Sequence, residues 1–131
     1  MRFRMVRAVG SILLLGAVCM TVRAEVLLKD NSEILGTWLL ESVAPGLDKQ
    51  KISENRTWEF RADGTVVTSG YNRHFGREDT QEFKYQVANG KIQADFPGRP
   101  GKTLDYRVYE KSGDTMILQG GLEGFYFFKK K

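Results

Sequence analysis

Alternation of polar and apolar residues over short segments is the feature that most constrains the fold of this chain. A period of two is typical of antiparallel strands that turn one face to a core and the other to water. The pattern is regular in four segments, at residues 57–61, 82–87, 91–96 and 103–108. It is less regular in four more, at residues 35–42, 64–71, 115–119 and 125–129, so that eight strands are predicted.

The connections between these segments indicate how the strands are joined. Asp63-Gly64 and Asn89-Gly90 are dipeptides favoured in tight hairpins, because their backbones readily adopt positive φ. Short hairpins favour a meander, and closure of the sheet removes exposed edges. The sequence therefore predicts an all-β fold, an eight-stranded antiparallel up-and-down barrel, with a sandwich as the alternative. A one-turn helix is expected before the first strand, because Asp30 and Glu33 have capping-box spacing.

The N-terminal segment has the composition of an export signal. Arginines at positions 2, 4 and 7 precede an apolar run at residues 9–22, and Val22-Arg23-Ala24 suits a signal peptidase. The run is shorter than the roughly 20 residues that a transmembrane helix needs, although a retained anchor is the alternative. Lipid attachment at Cys19 is disfavoured, because Val18 is not small. We therefore expect a signal at residues 1–24, one domain at residues 25–131, and a periplasmic or secreted location.

Removal of the signal changes both the charge and the cysteine content. The chain has 20 Lys and Arg against 16 Asp and Glu, and four arginines but no acid precede residue 25. The remaining domain is therefore balanced, which argues against a nucleic-acid-binding surface. Cys19 is the only cysteine, so the domain is expected to be free of disulfides. No second apolar run follows, and no stable membrane span is predicted after cleavage.

Catalytic chemistry has few candidates in residues 25–131. His74 is the only histidine, and no Gly-x-Ser-x-Gly motif is present. No histidines or cysteines are paired at metal-ligand spacing. The acids at positions 78, 79 and 82 do not follow the spacing of a calcium loop. The sequence therefore predicts a protein that is not an enzyme and that uses no cofactor or metal.

Aromatic residues of the predicted strands form the first candidate site. If the strand phases hold, they share the inner face of the barrel, and an eight-stranded barrel either fills that space or holds one small ligand. Two tyrosines favour a ligand, because a polar group inside an apolar pocket orients what binds there. The predicted ligand-binding residues are Trp58, Phe60, Phe83, Tyr85, Tyr106 and Phe127.

A predicted loop at residues 70–80 is the second candidate site, and a second long polar loop is expected at residues 45–54. The first loop combines aromatic and cationic side chains, which suit recognition of an anionic or planar group or of another protein. An ordinary exposed hairpin loop explains the same composition. The predicted partner-binding residues are Tyr71, Arg73, His74, Phe75 and Arg77.

Two motifs carry a resemblance to a known family. Gly36-Thr37-Trp38 resembles the Gly-x-Trp signature in the first strand of lipocalins and related calycin barrels. Trp58-Glu59-Phe60, which runs into Asp63-Gly64-Thr65, resembles the second hairpin of small bacterial lipocalin-like domains. The resemblance implies an eight-stranded barrel with Trp38 packed at its closed end and a small apolar ligand in its cup.

The chain departs from that family at its last strand. Lipocalins commonly place an arginine across the tryptophan, whereas this chain offers Lys129 or Lys130. Small periplasmic inhibitors of secreted metalloproteases are also similar in size and in their first strand, although they usually carry a disulfide.

These observations lead to two functional hypotheses. The first is an exported, non-enzymatic lipocalin-like protein that binds a small apolar ligand in the barrel. The alternative is a barrel that binds a periplasmic or secreted protein through its loops, as a protease inhibitor or as an accessory subunit.

Overall fold

The structure, a computed structural model, describes residues 26–131, so the predicted signal at residues 1–24 lies outside the described residues. Within them, a 3₁₀ turn at Asn31–Glu33 precedes eight antiparallel strands. Each strand pairs with the next and the last pairs with the first, so the sheet closes into a barrel. The predicted all-β up-and-down barrel and its preceding turn are confirmed. The strands are β1 Gly36–Ala44, β2 Ile52–Phe60, β3 Thr65–Asn72, β4 Arg77–Ala88, β5 Lys91–Asp95, β6 Thr103–Ser112, β7 Thr115–Gly120 and β8 Gly124–Lys130.

The up-and-down order separates the connections into two groups. We call the end at which β1 begins the closed end, and the opposite end the open end. Hairpins β2–β3, β4–β5 and β6–β7 lie at the closed end. The open end carries the other four connections, at residues 45–51, 73–76, 96–102 and 121–123.

The segment that precedes β1 covers the closed end. Val26 forms a β-bridge with Val108, and the Leu28 amide donates to the Gly90 carbonyl over 3.1 Å. Asp30 then begins the 3₁₀ turn, where its carboxylate accepts hydrogen bonds from the amide and hydroxyl of Ser32. Ile34 is completely buried. The segment thus places the apolar side chains of Leu28 and Ile34 under the barrel. The backbone amides of Leu28 and Ser32 are hydrogen-bonded there.

Trp38 lies at this end, where the resemblance to lipocalins places it. Its indole Nε1 donates to the Ile34 carbonyl over 2.9 Å. Lys130 Nζ lies 4.6 Å from the centre of the indole ring and donates to the Leu35 carbonyl. Of the two lysines proposed for this position, Lys130 covers the ring, whereas Lys129 is exposed. Because an ammonium over an indole face is attracted by the ring quadrupole, the lysine still secures the tryptophan.

The most deeply buried side chains are aliphatic and aromatic, and most of them lie toward the closed end. Full burial of one such side chain contributes roughly 1.5–3 kcal/mol, so this layer supplies most of the packing that holds the fold without a disulfide. The largest are Trp38, Phe60, Ile34, Ile92, Met116, Leu118, Val43, Val66 and Val108.

Two strands extend further toward the open end than their sequences predict. Strand β2 begins at Ile52, which shortens the predicted loop at residues 45–54, and β4 begins at Arg77. The predicted long loop at residues 70–80 is therefore wrong, because strands β3 and β4 occupy most of it and leave a four-residue turn. Alternation is invisible in these extensions, since their inward-facing residues are polar.

The phase predicted for β8 is also wrong. Tyr126 and Phe128 belong to the core cluster, whereas Phe127 lies on the outer face with Lys51 Nζ 4.1 Å from its ring centre. Four consecutive aromatic residues at 125–128 leave the phase undetermined in the sequence. The register settles it, because Phe128 stands opposite Leu40 in β1 and Met116 in β7, both of which are buried.

Candidate functional site

A cavity of about 150 Å³ opens between the connections of the open end. Its floor and lower walls are apolar, and its mouth is polar. The apolar and phenolic side chains that line it are Leu40, Trp58, Val66, Phe83, Ala94, Pro97, Leu104, Tyr106, Leu122 and Tyr126. The polar and charged ones are Glu54, Arg56, Thr68, Asn72, Arg73, His74, Gln81, Asp95 and Glu123.

Trp58 separates this cavity from the packed core. It pairs with Trp38 across the β1–β2 ladder, but Trp38 is buried at the closed end whereas Trp58 is half-buried and lines the cavity. The ring centre of Trp58 lies 5.2 Å from that of Phe128 and 5.9 Å from that of Tyr106, both edge to face. Such edge-to-face contacts favour a defined orientation of the indole in the cavity floor.

Arg56 of β2 is a buried cation in the cavity wall, with 8% of its side chain exposed. Its guanidinium donates to the Gly70 carbonyl and to the hydroxyl of Thr68. Nη2 also lies 2.6 Å from Asp79 Oδ1, in an ion pair that lacks hydrogen-bond alignment. Because a buried charge is costly unless it is paired, Asp79 of β4 is the residue that allows Arg56 to point inward.

Asp79 is held ionised by its surroundings. Its Oδ2 accepts hydrogen bonds from Asn72 and Gln81 at 3.0 and 3.1 Å. Burial raises the pKa of Asp79, but the hydrogen bond from Asn72 and the guanidinium of Arg56 outweigh it and lower the pKa below its ordinary value. Arg56 in the cavity wall is therefore matched by an ionised carboxylate on β4.

Four charged or titratable side chains, Glu54, Arg73, His74 and Glu123, form what we call the mouth clasp. Arg73 donates to Glu54 Oε2 from Nε and Nη2, at 3.0 and 2.6 Å, and from Nη2 to Glu123 Oε2 at 2.9 Å. His74 Nε2 lies 2.9 Å from the same oxygen of Glu123. The hydrogen bond to Glu54 raises the pKa of Arg73 above its ordinary value. The clasp joins β2 to two separate connections of the open end.

Local turn chemistry places the clasp residues. The Asn72 side-chain oxygen accepts hydrogen bonds from the amides of His74 and Phe75, which fixes the turn between β3 and β4. Gly76 completes this turn with positive φ. Arg73 and His74 are therefore presented to the cavity mouth by a short, defined turn and not by a long loop.

The β7–β8 connection lies directly on two buried phenols. Tyr126 Oη accepts hydrogen bonds from the amides of Leu122 and Glu123 at 3.0 and 3.1 Å. Gly121 has positive φ, and a Cβ at this position would lie 2.5 Å from both Tyr106 Cε2 and Tyr126 Oη, so only glycine fits. Burial raises the pKa of Tyr106 and of Tyr126, which keeps both phenols neutral.

The predicted ligand-binding residues fall into three groups. Trp58, Phe83 and Tyr106 line the cavity. Phe60 and Tyr85 are packed in the core, where Tyr85 Oη donates to the Arg61 carbonyl and accepts from Asn31. Their place at the closed end removes both from a site at the mouth.

The last of the six, Phe127, lies on the outer face of β8 and does not line the cavity, so its prediction as a ligand-binding residue is wrong. The predicted partner-binding residues are also divided by the structure. Arg73 and His74 line the cavity, whereas Tyr71, Phe75 and Arg77 are exposed. The two candidate sites therefore meet at the cavity mouth. Only Tyr71, Phe75 and Arg77 of the predicted partner-binding residues lie on the outer surface away from the cavity.

Sequence reasoning missed several residues of the site. Glu54 and Arg56 fall in a stretch that was predicted to be loop or loop boundary, and Glu123 lies between glycines. The inward position of Tyr126 was hidden by the aromatic run of β8. A useful signal would have been the period of two shared by Glu54, Arg56 and Trp58, which continues the inner face of β2 toward the mouth.

Metal binding and membrane crossing by a helix are two further possibilities for residues 26–131. No group of three or more His, Cys, Asp or Glu side chains in this part of the chain has the arrangement of a metal site. In the same range, no helix has the length and apolar character needed to cross a membrane.

Comparison with known proteins agrees with this architecture. A family model described as a lipocalin-like domain matches residues 34–118. The crystal structure of a lipocalin-like protein from Bacteroides uniformis ATCC 8492 is similar with a TM-score of 0.57 at 17% identity, covering 76% of this chain and 100% of that one. No curated protein matches the chain. Since the family model spans most of the described barrel, from Ile34 into β7, the chain belongs to the family of lipocalin-like domains.

Proposed function

We propose that this chain is an exported, non-enzymatic lipocalin-like protein that binds a small, mainly apolar molecule in the cavity at the open end. The observation that carries the proposal is the cavity itself, whose floor of Trp58, Phe83 and Leu104 remains unfilled above a tightly packed core. Pockets with apolar walls and a few convergent polar groups are the usual form of small-molecule sites. Export is inferred from the sequence of residues 1–24.

The size of the cavity limits the ligand. An apolar cavity of about 150 Å³ is large enough for a benzene-sized molecule. The proposed ligand therefore buries one ring or a short aliphatic chain of similar volume, and any larger part extends through the mouth. This is much smaller than a full-length fatty acid, so the cup takes only the end of such a chain.

The charges that line the cavity favour an uncharged apolar group over an anion. Arg56 is paired with Asp79, and Arg73 is paired with Glu54 and Glu123. An entering carboxylate would have to compete with these acids for a guanidinium and would lose its own hydration. The neutral phenols of Tyr106 and Tyr126 instead offer polar contacts without charge.

The same site offers little for covalent chemistry. His74 and Glu123 are in contact, but the lining contains neither serine nor cysteine, and the Thr68 hydroxyl is engaged by Arg56. A general base without a nearby nucleophile supports binding better than hydrolysis by a triad.

The two tryptophans provide an internal test of the proposal. Variant Trp38→Phe leaves Trp58, in the cavity floor, as the only indole of the barrel, and Trp58→Phe leaves the buried Trp38. We expect titration of purified residues 25–131 with toluene, 1-hexanol or hexanoate to change Trp58 emission saturably, with hexanoate the weakest. Trp38 emission should not respond, because its ring is buried at the closed end.

A cavity-filling substitution serves as the second arm of this test. Ala94 is a buried residue that lines the cavity, so Ala94→Leu should abolish the response of Trp58. Ala62→Leu adds the same methyl groups in the exposed β2–β3 hairpin and is the matched control. Saturable binding that survives Ala94→Leu, or the absence of any saturable response across the panel, would contradict the proposal.

A further inference from the structure

Strand β4 continues past its neighbour β5 at the open end, which leaves part of one edge without a strand. β4 comprises Arg77–Ala88, but only its last four residues, Tyr85–Ala88, pair with β5. Residues 77–84 pair with β3 on the other side. Within the described chain, β4 has no further neighbouring strand. An unpaired edge of this kind is a row of backbone donors and acceptors with which another chain can pair.

Alternation along β4 shows which backbone groups face the open edge. The Tyr85 amide donates to the Gly64 carbonyl, which lies on the β3 side. In an antiparallel ladder, consecutive residues turn their backbone groups to opposite sides. The N–H and C=O groups of Glu78, Thr80 and Glu82 therefore point away from β3. None of these groups is hydrogen-bonded within the described chain.

The β5–β6 connection leaves this edge open because it is folded on itself. Pro97 and Pro100 have no N–H that could donate to a ladder. The Phe96 amide donates to the Lys102 carbonyl over 2.9 Å, within the connection. A cleft of about 600 Å³ remains between this connection and residues 82–84 of β4. Space for a further segment therefore lies beside the unpaired backbone groups.

The two faces of this edge differ in character. Gln81 and Phe83 line the cavity, so the residues between and beside them point outward. These outward residues, Glu78, Thr80 and Glu82, are exposed. A strand added here would therefore turn one face toward the cavity mouth and the other toward water, which favours alternating apolar and polar side chains.

The two outward glutamates determine which strand fits best. Glu78 and Glu82 have no ion pair within the described chain, and the β3 residues opposite them are uncharged. Opposite charges directly across a ladder are favourable. The complementary strand therefore carries basic side chains at the two positions that face these glutamates. Net charge does not select the occupant, because two acids and two bases line the cleft, and Arg77 and Lys84 flank the glutamates.

We propose that the open edge of β4 binds an extended segment of another protein as an added strand, in the place that β5 would occupy if it continued past Asp95. Its unpaired backbone groups at alternate residues match the spacing of another extended backbone, which is the basis of recognition by strand addition. The bound segment carries Lys or Arg at two outward positions four residues apart. This interaction is separate from binding of a small molecule in the cavity.

A second copy of this chain is a poorer occupant. Symmetric pairing of two β4 edges through all three open residues is centred on Thr80. It places Glu78 of each copy opposite Glu82 of the other, and like charges directly opposite each other destabilise a ladder. The edge is therefore more complementary to a basic segment of a different protein than to itself.

A synthetic peptide with the required pattern, acetyl-Thr-Lys-Val-Thr-Val-Lys-Thr-amide, tests the proposal. With its central threonine opposite Thr80, its lysines face Glu78 and Glu82. Binding of the fluorescently labelled peptide to purified residues 25–131, which contain the whole closed barrel, is measured by anisotropy. N-methylation of its second, fourth and sixth residues removes the N–H groups that face β4 and should weaken binding roughly tenfold or more. N-methylation of the third, fifth and seventh residues should weaken it much less.

Two outcomes of this titration would overturn the proposal. One is the absence of saturable binding of the unmethylated peptide. The other is equal weakening by the two methylation patterns, which would show that backbone pairing on one side does not hold the peptide.

Hydrogen exchange locates the added strand on the protein. In the free protein, the amides of Glu78, Thr80 and Glu82 should exchange quickly, whereas those of Gln81 and Phe83, which face β3, should be protected. The peptide should slow exchange of the first three amides several-fold and leave the other two unchanged. Slow exchange of the three amides without peptide would contradict the proposal, and a dimer in sedimentation would then identify a second copy as the occupant.

Exchange of charges tests the specificity. Glu78→Lys with Glu82→Lys should weaken binding of the lysine peptide roughly fivefold or more and allow binding of the same peptide with glutamate in place of lysine. Glu33→Lys with Glu41→Lys changes the net charge equally at exposed positions outside β4 and is the matched control. Failure of the glutamate peptide to bind the β4 variant, or equal weakening by the two pairs of substitutions, would rule out pairing at these positions.

Discussion

The two ends of the barrel are built from the same eight strands but are stabilised differently. At the closed end, Trp38, Phe60 and Ile34 belong to one buried core cluster, and the polar side chains nearby, such as Tyr85 and Lys130, hydrogen-bond to backbone carbonyls. At the open end, strands β2 and β4 continue the same inner face with Arg56 and Asp79, and the mouth clasp follows above them.

The inward-facing charges make the open end the less stable half of the barrel. Inward-facing charges cost desolvation that apolar side chains at the same positions would not, and a buried ion pair commonly contributes less than a packed apolar pair. The closed end shows that this barrel can fill its interior with apolar side chains. Its open end is left polar around an unfilled cavity, and such departures from the most stable arrangement are expected at functional sites.

The largest expected effect contrasts one phenylalanine from each region. Phe60→Ala should lower the free energy of unfolding by about 3–5 kcal/mol, because it removes a fully buried ring from a rigid core. Phe83→Ala should cost less, roughly 1–2 kcal/mol, because Phe83 already borders the cavity. Urea unfolding of both variants measures the contrast. Equal losses would mean that the cavity wall is packed as tightly as the core.

The same contrast explains which parts of the strands could be predicted from the sequence. Regular alternation located the parts of β4, β5 and β6 that face the apolar core, as in Tyr85 and Ile92. Alternation fails where the inward residues are polar, so the sequence pattern places Glu54 and Asp79 in loops. It fails again in β8, where Phe127 and Phe128 are equally apolar and only pairing with β1 and β7 sets the phase.

Among the candidate site residues too, the apolar ones could be predicted from the sequence and the polar ones could not. Trp58, Phe83 and Tyr106 were found because they are aromatic and in phase with clear strands. Partners such as Glu123 could not be found, because they reach the mouth through contacts between residues about fifty positions apart, such as that with His74. Sequence reasoning thus recovered the apolar floor of the cavity and missed most of its polar mouth.

Acidification should lower the stability of the fold through protonation of Asp79 at the open end. The pKa of this carboxyl is lowered in the folded state, so it stabilises the fold above its ordinary pKa of 3.8, and that contribution is lost as pH falls through the lowered pKa. Asp79→Asn leaves Arg56 without its counter-charge and should reduce the urea midpoint clearly at pH 7. The difference from the natural protein should shrink as pH falls below 3.8 and disappear only below the lowered pKa, where Asp79 is protonated in both the folded and the unfolded state.

A closed-end carboxylate provides the control for this pH dependence. The hydrogen bonds from the hydroxyl and amide of Thr65 lower the pKa of Asp63, but no buried cation depends on it. Asp63→Asn retains an oxygen that can accept these hydrogen bonds and should change the urea midpoint only slightly at pH 7. A pH-independent difference for Asp79→Asn, or an equal difference for both variants, would rule out the proposed role of the Arg56–Asp79 pair.

The smallest effect on stability separates the two ends most specifically. Tyr85→Phe and Tyr126→Phe each remove one hydroxyl, and each should cost about 1 kcal/mol. The lost contacts differ, because Tyr85 Oη serves the closed end through Arg61 and Asn31, whereas Tyr126 Oη receives the amides of Leu122 and Glu123. Tyr126→Phe should therefore accelerate hydrogen exchange at those two amides and weaken binding of the small probes, and Tyr85→Phe should do neither. Unchanged exchange at both amides would show that Gly121 and the mouth clasp hold the β7–β8 connection without the phenol.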